Sequence, residues 1–118
     1  MIPIVVVETR PFQRHAAEVW SDAEREEFID AIARDPQAGA IIQGTGGVRK
    51  LRWAREGIGK RGGVRVIYYY HDAGAPIFLL TVYGKGRKDD LSKSERNAIR
   101  QAVTLIKQQI RASTGRES

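Results

Sequence analysis

The sequence predicts an α+β domain, a small antiparallel β-sheet with an N-terminal helical region and a C-terminal helix packed on it. Three observations carry this expectation. Two Ser-x-x-Glu capping boxes, Ser21 to Glu24 and Ser92 to Glu95, each open a segment whose apolar residues recur at helical spacing. Between them lie three runs rich in β-branched and aromatic residues, 48–54, 63–70 and 77–83, joined by connections short enough for a meander. Finally, 118 residues with 42% hydrophobic content suffice for one modest core but not for two. A single domain is expected over 1–118, with its core over about 1–111 and a fraying tail over 112–118.

Ile2 to Glu8 is rich in Val and Ile and reads as a strand, which Thr9-Arg10-Pro11 ends. Phe12, Ala16 and Trp20 recur every fourth residue, which indicates a short helix. Ser21 then caps a second helix, with Phe28, Ile29 and Ile32 on its apolar face and Glu26, Glu27 and Asp30 in water. Asp35-Pro36 stops it, because proline disfavours helical geometry in the residue before it. The glycines between Gln37 and Gly47 mark a loop, with Ile41 and Ile42 expected to tuck it against the core. Alternation in 48–54 sends Arg49, Leu51 and Trp53 one way and Lys50 and Arg52 the other. The near-continuous apolar run 63–70 suits a central strand covered on both faces. Tyr68 and Tyr70 then point away from Tyr69, so the three rings cannot form one stacking platform, and at least two belong to the core. Ile99, Val103, Ile106 and Ile110 give the last helix its buried stripe.

Composition removes several chemistries. Cysteine is absent, which excludes a disulfide framework, a thiolate nucleophile and a Cys-ligated zinc. The apolar amino terminus is too short to span a bilayer and lacks the basic start of a secretory signal, so a cytoplasmic protein with no membrane partner is expected. The net charge of +6 is unevenly spread. Residues 1–42 carry four basic and eight acidic residues, 43–88 carry ten and two, and 89–118 carry six and four. The middle block holds Arg49, Lys50, Arg52, Arg55, Lys60, Arg61, Arg65, Lys85, Arg87 and Lys88, the footprint of a face that binds a polyanion.

The individual motifs differ in what they specify. Gly57 to Gly62 matches the G-x-G-x-x-G dinucleotide pattern, but a strand follows where that fingerprint needs a helix, so a basic hairpin is the better reading. His15 and His71 have no metal-ligand spacing with nearby carboxylates, so neither metal nor other cofactor is expected, and His71 reads as a surface histidine. Asp89-Asp90 precede a helix cap, where acids favour the helix dipole. The strongest constellation is Lys50 and Arg52 on one strand, Arg65 on the next, and Tyr83 through Lys88 at the end of the third. Cleaving RNA by the RNA's own 2'-hydroxyl needs that proton removed, charge on the phosphate oxygens stabilised, and the departing 5'-oxygen protonated. Arginine can clamp a phosphate in a bidentate way, and lysine or tyrosine can move protons. The same residue types also suit plain phosphate binding or a structural role.

Gly44-Thr-Gly-Gly-Val-Arg-Lys-Leu-Arg-Trp53, Gly62-Gly-Val-Arg-Val-Ile-Tyr-Tyr69, Leu79-Leu-Thr-Val-Tyr-Gly-Lys85 and Lys88-Asp-Asp-Leu-Ser92 resemble the RelE superfamily of bacterial toxins, most closely its HigB-like branch. The resemblance implies a toxin-antitoxin toxin that enters the ribosome and cuts mRNA without a metal ion. Its partners would be the ribosome, mRNA and a cognate antitoxin, of helix-turn-helix type and encoded next to it. The basic pair of the family's second strand corresponds to Lys50 and Arg52, and the arginine of its Gly-x-Arg-x-x-Tyr strand to Arg65. Tyr83 and Lys85 complete the expected catalytic set, and Arg49, Arg55, Lys60, Arg61, Arg87 and Lys88 the expected RNA contacts. Two positions depart from the pattern: Gly86 and Ser92 stand where RelE has an arginine and a tyrosine. The competing expectation is a non-cleaving inhibitor on the same RelE/ParE scaffold that binds RNA or a protein target such as gyrase.

Overall fold

The structure, a computed structural model, describes residues 4–53, 63–84 and 91–117. In chain order these form β1 (Val6–Glu8), α1 (Arg10–Val19), α2 (Asp22–Arg34), β2 (Ala40–Ile41), β3 (Val48–Trp53), β4 (Val64–Tyr70), β5 (Ile77–Gly84) and α3 (Lys93–Glu117). The five described strands make one sheet in the order β1-β5-β4-β3-β2. The α+β class is as the sequence predicts. The sheet is mixed, however, because β1 pairs parallel to β5 while every other pair is antiparallel. Directly after β1, Thr9 donates through Oγ1 to the carbonyl of Leu79, 70 residues away in sequence, at 2.8 Å.

Each helix starts where a side chain satisfies its free N–H groups. Thr9 Oγ1 accepts from Phe12 N at the start of α1, and the two capping boxes close as expected, Ser21 with Glu24 and Ser92 with Glu95. Asp35 ends α2 with its N–H on Ala31 and Ile32, directly before Pro36. Helix α3 continues past Arg111, where a frayed tail was expected, because nothing in 112–117 interrupts the backbone ladder strongly enough to stop it.

The sheet is sandwiched. On one face Val64, Val66, Tyr68, Ile77, Leu79 and Val82 meet Phe12, Ala16, Trp20, Phe28 and Ile32 of α1 and α2. On the other, Val48, Ile67, Tyr69, Leu80 and Tyr83 meet Leu91, Ile99, Val103 and Ile106, so α3 covers that side. Six of the seven β4 residues are buried, the central position its composition predicts. Full burial of side chains such as Phe12 and Phe28 stabilises by about 1.5–3 kcal/mol each. Tyr68 and Tyr69 are the two core tyrosines, and Tyr68 ties β4 to the α2–β2 connection: its hydroxyl donates to the Pro36 carbonyl (2.8 Å) and accepts from the Gly39 N–H (2.9 Å). A Cβ on Gly39 would lie 2.9 Å from that ring, so only glycine permits the approach.

The 37–47 connection differs from a plain loop in containing β2. Ile42 packs against the α3-side core as expected, whereas Ile41 is 58% exposed, because β2 is an edge strand with one uncovered face. Gly44, Gly46 and Gly47 all have positive φ (77°, 82° and 108°), and between them the buried Thr45 hydroxyl donates to the Ile42 carbonyl at 2.6 Å. That turn starts β3 in the register that exposes Arg52.

Candidate functional site

Antiparallel pairing puts Arg52 opposite Arg65 and Arg65 opposite Tyr83, a row of three side chains across β3, β4 and β5. Lys50 projects from the same face two residues before Arg52, opposite Ile67. Lys50, Arg52, Arg65 and Tyr83 of the expected catalytic set therefore share one face, the one that α3 also occupies. Lys85, Arg55, Lys60, Arg61, Arg87 and Lys88 lie outside the described residues, as do Gly86, Asp89-Asp90 and the Gly57–Gly62 motif.

The row is graded in exposure. Arg52 is open to solvent and Lys50 half-buried, whereas Arg65 is only 6% exposed. The position of Arg65 on the central strand, between β3 and β5, explains this, since the sheet neighbours on both sides close around its stem. Its Nε is enclosed and has no hydrogen-bond partner among the described residues. An enclosed donor left in this way costs about 1–3 kcal/mol, and two guanidinium groups directly opposite each other add repulsion. An anion drawn onto the row would relieve both.

Arg49 does not join this face. It projects with Leu51 and Trp53 from the other side of β3, and its Nη1 donates to the carbonyls of Gln37 (3.2 Å) and Gly39 (2.7 Å). Alternation along the strand separates it from Lys50, so the structure does not bring this expected RNA contact together with the row. Ser92 caps α3: its Oγ accepts from Glu95 N at 3.1 Å and its own N–H donates to Glu95 Oε1 at 2.8 Å. His71 is exposed, with Nδ1 2.9 Å from the Tyr69 hydroxyl, at the opposite end of β4 from Arg65. Burial first, and the Asp72 carboxylate second, raise the Tyr69 pKa above its ordinary value.

One feature near the row escaped the sequence. His15 of α1 places Nδ1 2.7 Å from Thr81 Oγ1 on β5, beside a cavity of about 500 Å³ that Tyr83 and Glu95 also line. No spacing could signal it, because the partners are 66 residues apart.

A sequence profile for the RelE toxin of the RelE / RelB toxin-antitoxin system matches residues 5–114. The chain belongs to the RelE toxin family. Among solved structures, it is similar to a double arginine-to-alanine mutant of E. coli toxin RelE in the free state, at 14% identity and a TM-score of 0.53, over 71% of this chain and 85% of that one. At that identity the likeness concerns the fold, which agrees with the three helices and five-stranded mixed sheet described above. As a RelE-family member the chain is a toxin of a toxin-antitoxin system, with a cognate antitoxin as its partner. No described helix is long and apolar enough to cross a membrane.

Proposed function

We propose that this RelE-family toxin is a ribosome-dependent mRNA endonuclease of the HigB-like branch, acting in the cytoplasm and restrained by a helix-turn-helix antitoxin encoded beside it. The observation that carries the reading is the Arg52–Arg65–Tyr83 row with Lys50 next to it on one sheet face. In the proposed reaction the 2'-oxygen attacks the adjacent phosphorus, the bond to the 5'-oxygen breaks, and a 2',3'-cyclic phosphate and a 5'-hydroxyl result. Arg65 and Arg52 hold the phosphate and stabilise the charge that builds on its non-bridging oxygens, so no metal ion is required. Lys50 helps draw the 2'-hydroxyl proton, and Tyr83 with Lys85 serves the leaving 5'-oxygen. Arg55, Lys60, Arg61, Arg87 and Lys88 supply contacts to the RNA backbone.

The test is to incubate purified toxin with programmed ribosomes and map the mRNA ends. New 5'-hydroxyl ends inside the ribosome-covered codons are expected only when ribosomes are present. The Ser92 cap, in place of the family's tyrosine, favours one rival, a non-cleaving inhibitor on the same scaffold. Translation arrest with intact mRNA would establish that rival, and unaffected translation with inhibited gyrase would move the target to a protein.

A further inference from the structure

Helix α3 buries Ile99, Val103 and Ile106 against the sheet, but its flank toward α1 and β5 is apolar as well and stays open. There Ala98 and Ala102 border a groove of about 310 Å³ whose other wall includes Pro11 and Leu80. The groove takes its last α3 residue from Ala102, and three residues on Leu105 stands 61% exposed. Glu95, Ala98, Ala102, Leu105 and Gln109 are spaced three, four, three and four residues apart. That spacing holds them within about 80° of one another around the helix, the seam that paired helices use. Lys93, Arg96, Arg100, Lys107 and Arg111 project from the opposite flank, where Lys107 Nζ lies 5.8 Å from the centre of the Tyr69 ring.

We infer that this seam receives a second copy of the chain, α3 against α3 and antiparallel, about a two-fold axis at Ala102. A two-fold contact must fit itself, and this one carries both knob and hole. With Ala102 on the axis, Leu105 comes level with Ile99 of the other copy and drops between its Ala98 and Ala102, at the mouth of the groove. Gln109 comes level with Glu95 of the other copy, an amide donor against a carboxylate. Side chains as small as alanine let the two helices approach closely. Charge selects the same occupant. Each copy carries +6, so two copies can meet only through a face kept clear of cations. The seam holds none, and Gln101 and Gln108 beside it are neutral. A nucleic acid would find no cation there. The contact uses the flank of α3 away from β3, so it leaves Lys50 and Arg52 open and stands apart from the RNA-cutting reading.

The seam spans only about 21 Å from Glu95 to Gln109, so the dimer is reversible and its population follows concentration. Sedimentation or light scattering on the purified chain should show the average mass rise toward twice the monomer's between about 1 μM and 1 mM. Leu105→Glu should weaken that association at least tenfold. Because Leu105 is exposed, the dilute variant should melt as the dilute wild type does. The chain has no cysteine, so single cysteines report the orientation. Copies of Ala102→Cys meet on the axis and should be joined by a short bis-maleimide, whereas copies of Gln109→Cys stand about 21 Å apart along the helices and should not. A wild type that stays monomeric up to about 1 mM would overturn the inference. So would undiminished association in Leu105→Glu, or ready joining of Gln109→Cys, which would mean parallel helices. A monomeric wild type whose rescue by the adjacent open reading frame is lost in Leu105→Glu would overturn it too, and would give the groove to the antitoxin.

Discussion

Arg52 and Arg65 stand directly opposite each other on β3 and β4, the first in solvent and the second almost fully enclosed. The pair cannot be explained as a contribution to stability, because like charges at opposed ladder positions repel and the enclosed one has been stripped of water. Under the proposed function the pair is a phosphate clamp held ready.

Replacing Arg65 should therefore separate stability from activity. Arg65→Met keeps most of the volume while removing the enclosed charge, and its melting temperature should equal or exceed that of the wild type. Arg65→Ala should melt close to the wild type, since relief of repulsion offsets the lost packing. Both should lower ribosome-programmed cleavage by about a hundredfold or more, and Arg65→Lys should restore only part of it, because an ammonium keeps the charge without the planar fork. Cleavage at the wild-type rate in Arg65→Met would remove this residue from the site.

Binding to single-stranded RNA should weaken steeply with ionic strength. If about five of the cations between Lys50 and Lys88 meet phosphates, the log–log slope should be about −3 to −4. A flat response in filter binding or fluorescence anisotropy would dissolve the case for a polyanion-binding face.

Tyr68→Phe should destabilise the fold by about 1–3 kcal/mol in chemical denaturation, because the buried Gly39 N–H and Pro36 carbonyl both lose a partner. The same hydroxyl predicts a pH dependence. Burial raises its pKa in the folded state above the ordinary value near 10, with Asp35 adding to the rise and the Gly39 N–H and Arg49 opposing it. The unfolded chain thus releases this proton first. The contribution to stability is complete below pH about 10 and is lost as pH rises through the folded pKa. Denaturation midpoints between pH 8 and 11 should fall less in Tyr68→Phe than in the wild type, although Tyr69, raised in the same direction, keeps the curve from becoming flat. Identical curves would show that Tyr68 ionises alike in both states.

Induced alone in a bacterial host, the chain should halt growth, and co-expression of the adjacent open reading frame should restore it. Normal growth at confirmed soluble expression would contradict the toxin assignment.

Local chemistry made much of this fold readable. The capping boxes at Ser21 and Ser92 fixed two helix starts, and alternation alone separated Lys50 and Arg52 from Arg49 and Leu51. What stayed hidden depends on contacts between distant segments. Pairing of Arg52 with Arg65 rather than with a neighbour depends on strand register, which nothing in either strand's composition specifies. The register of β5 shifts at the irregularity opposite Ile67 and Tyr68, so counting by twos from Leu79 would misplace Tyr83. The parallel edge strand and the His15–Thr81 contact also join residues too far apart for any periodicity to connect them.

The pairing of β1 with β5 also sets the order in which the protein can come into being. The first described strand to leave the ribosome waits for the last, and the face holding Arg52, Arg65 and Tyr83 needs β3, β4 and β5 together. Such long-range closure is intrinsically slow. A nascent chain halted before β5 has emerged holds Arg52 and Arg65 but lacks Tyr83 and the strand on which β1 and β4 both pair. The poison is assembled only once synthesis is almost finished.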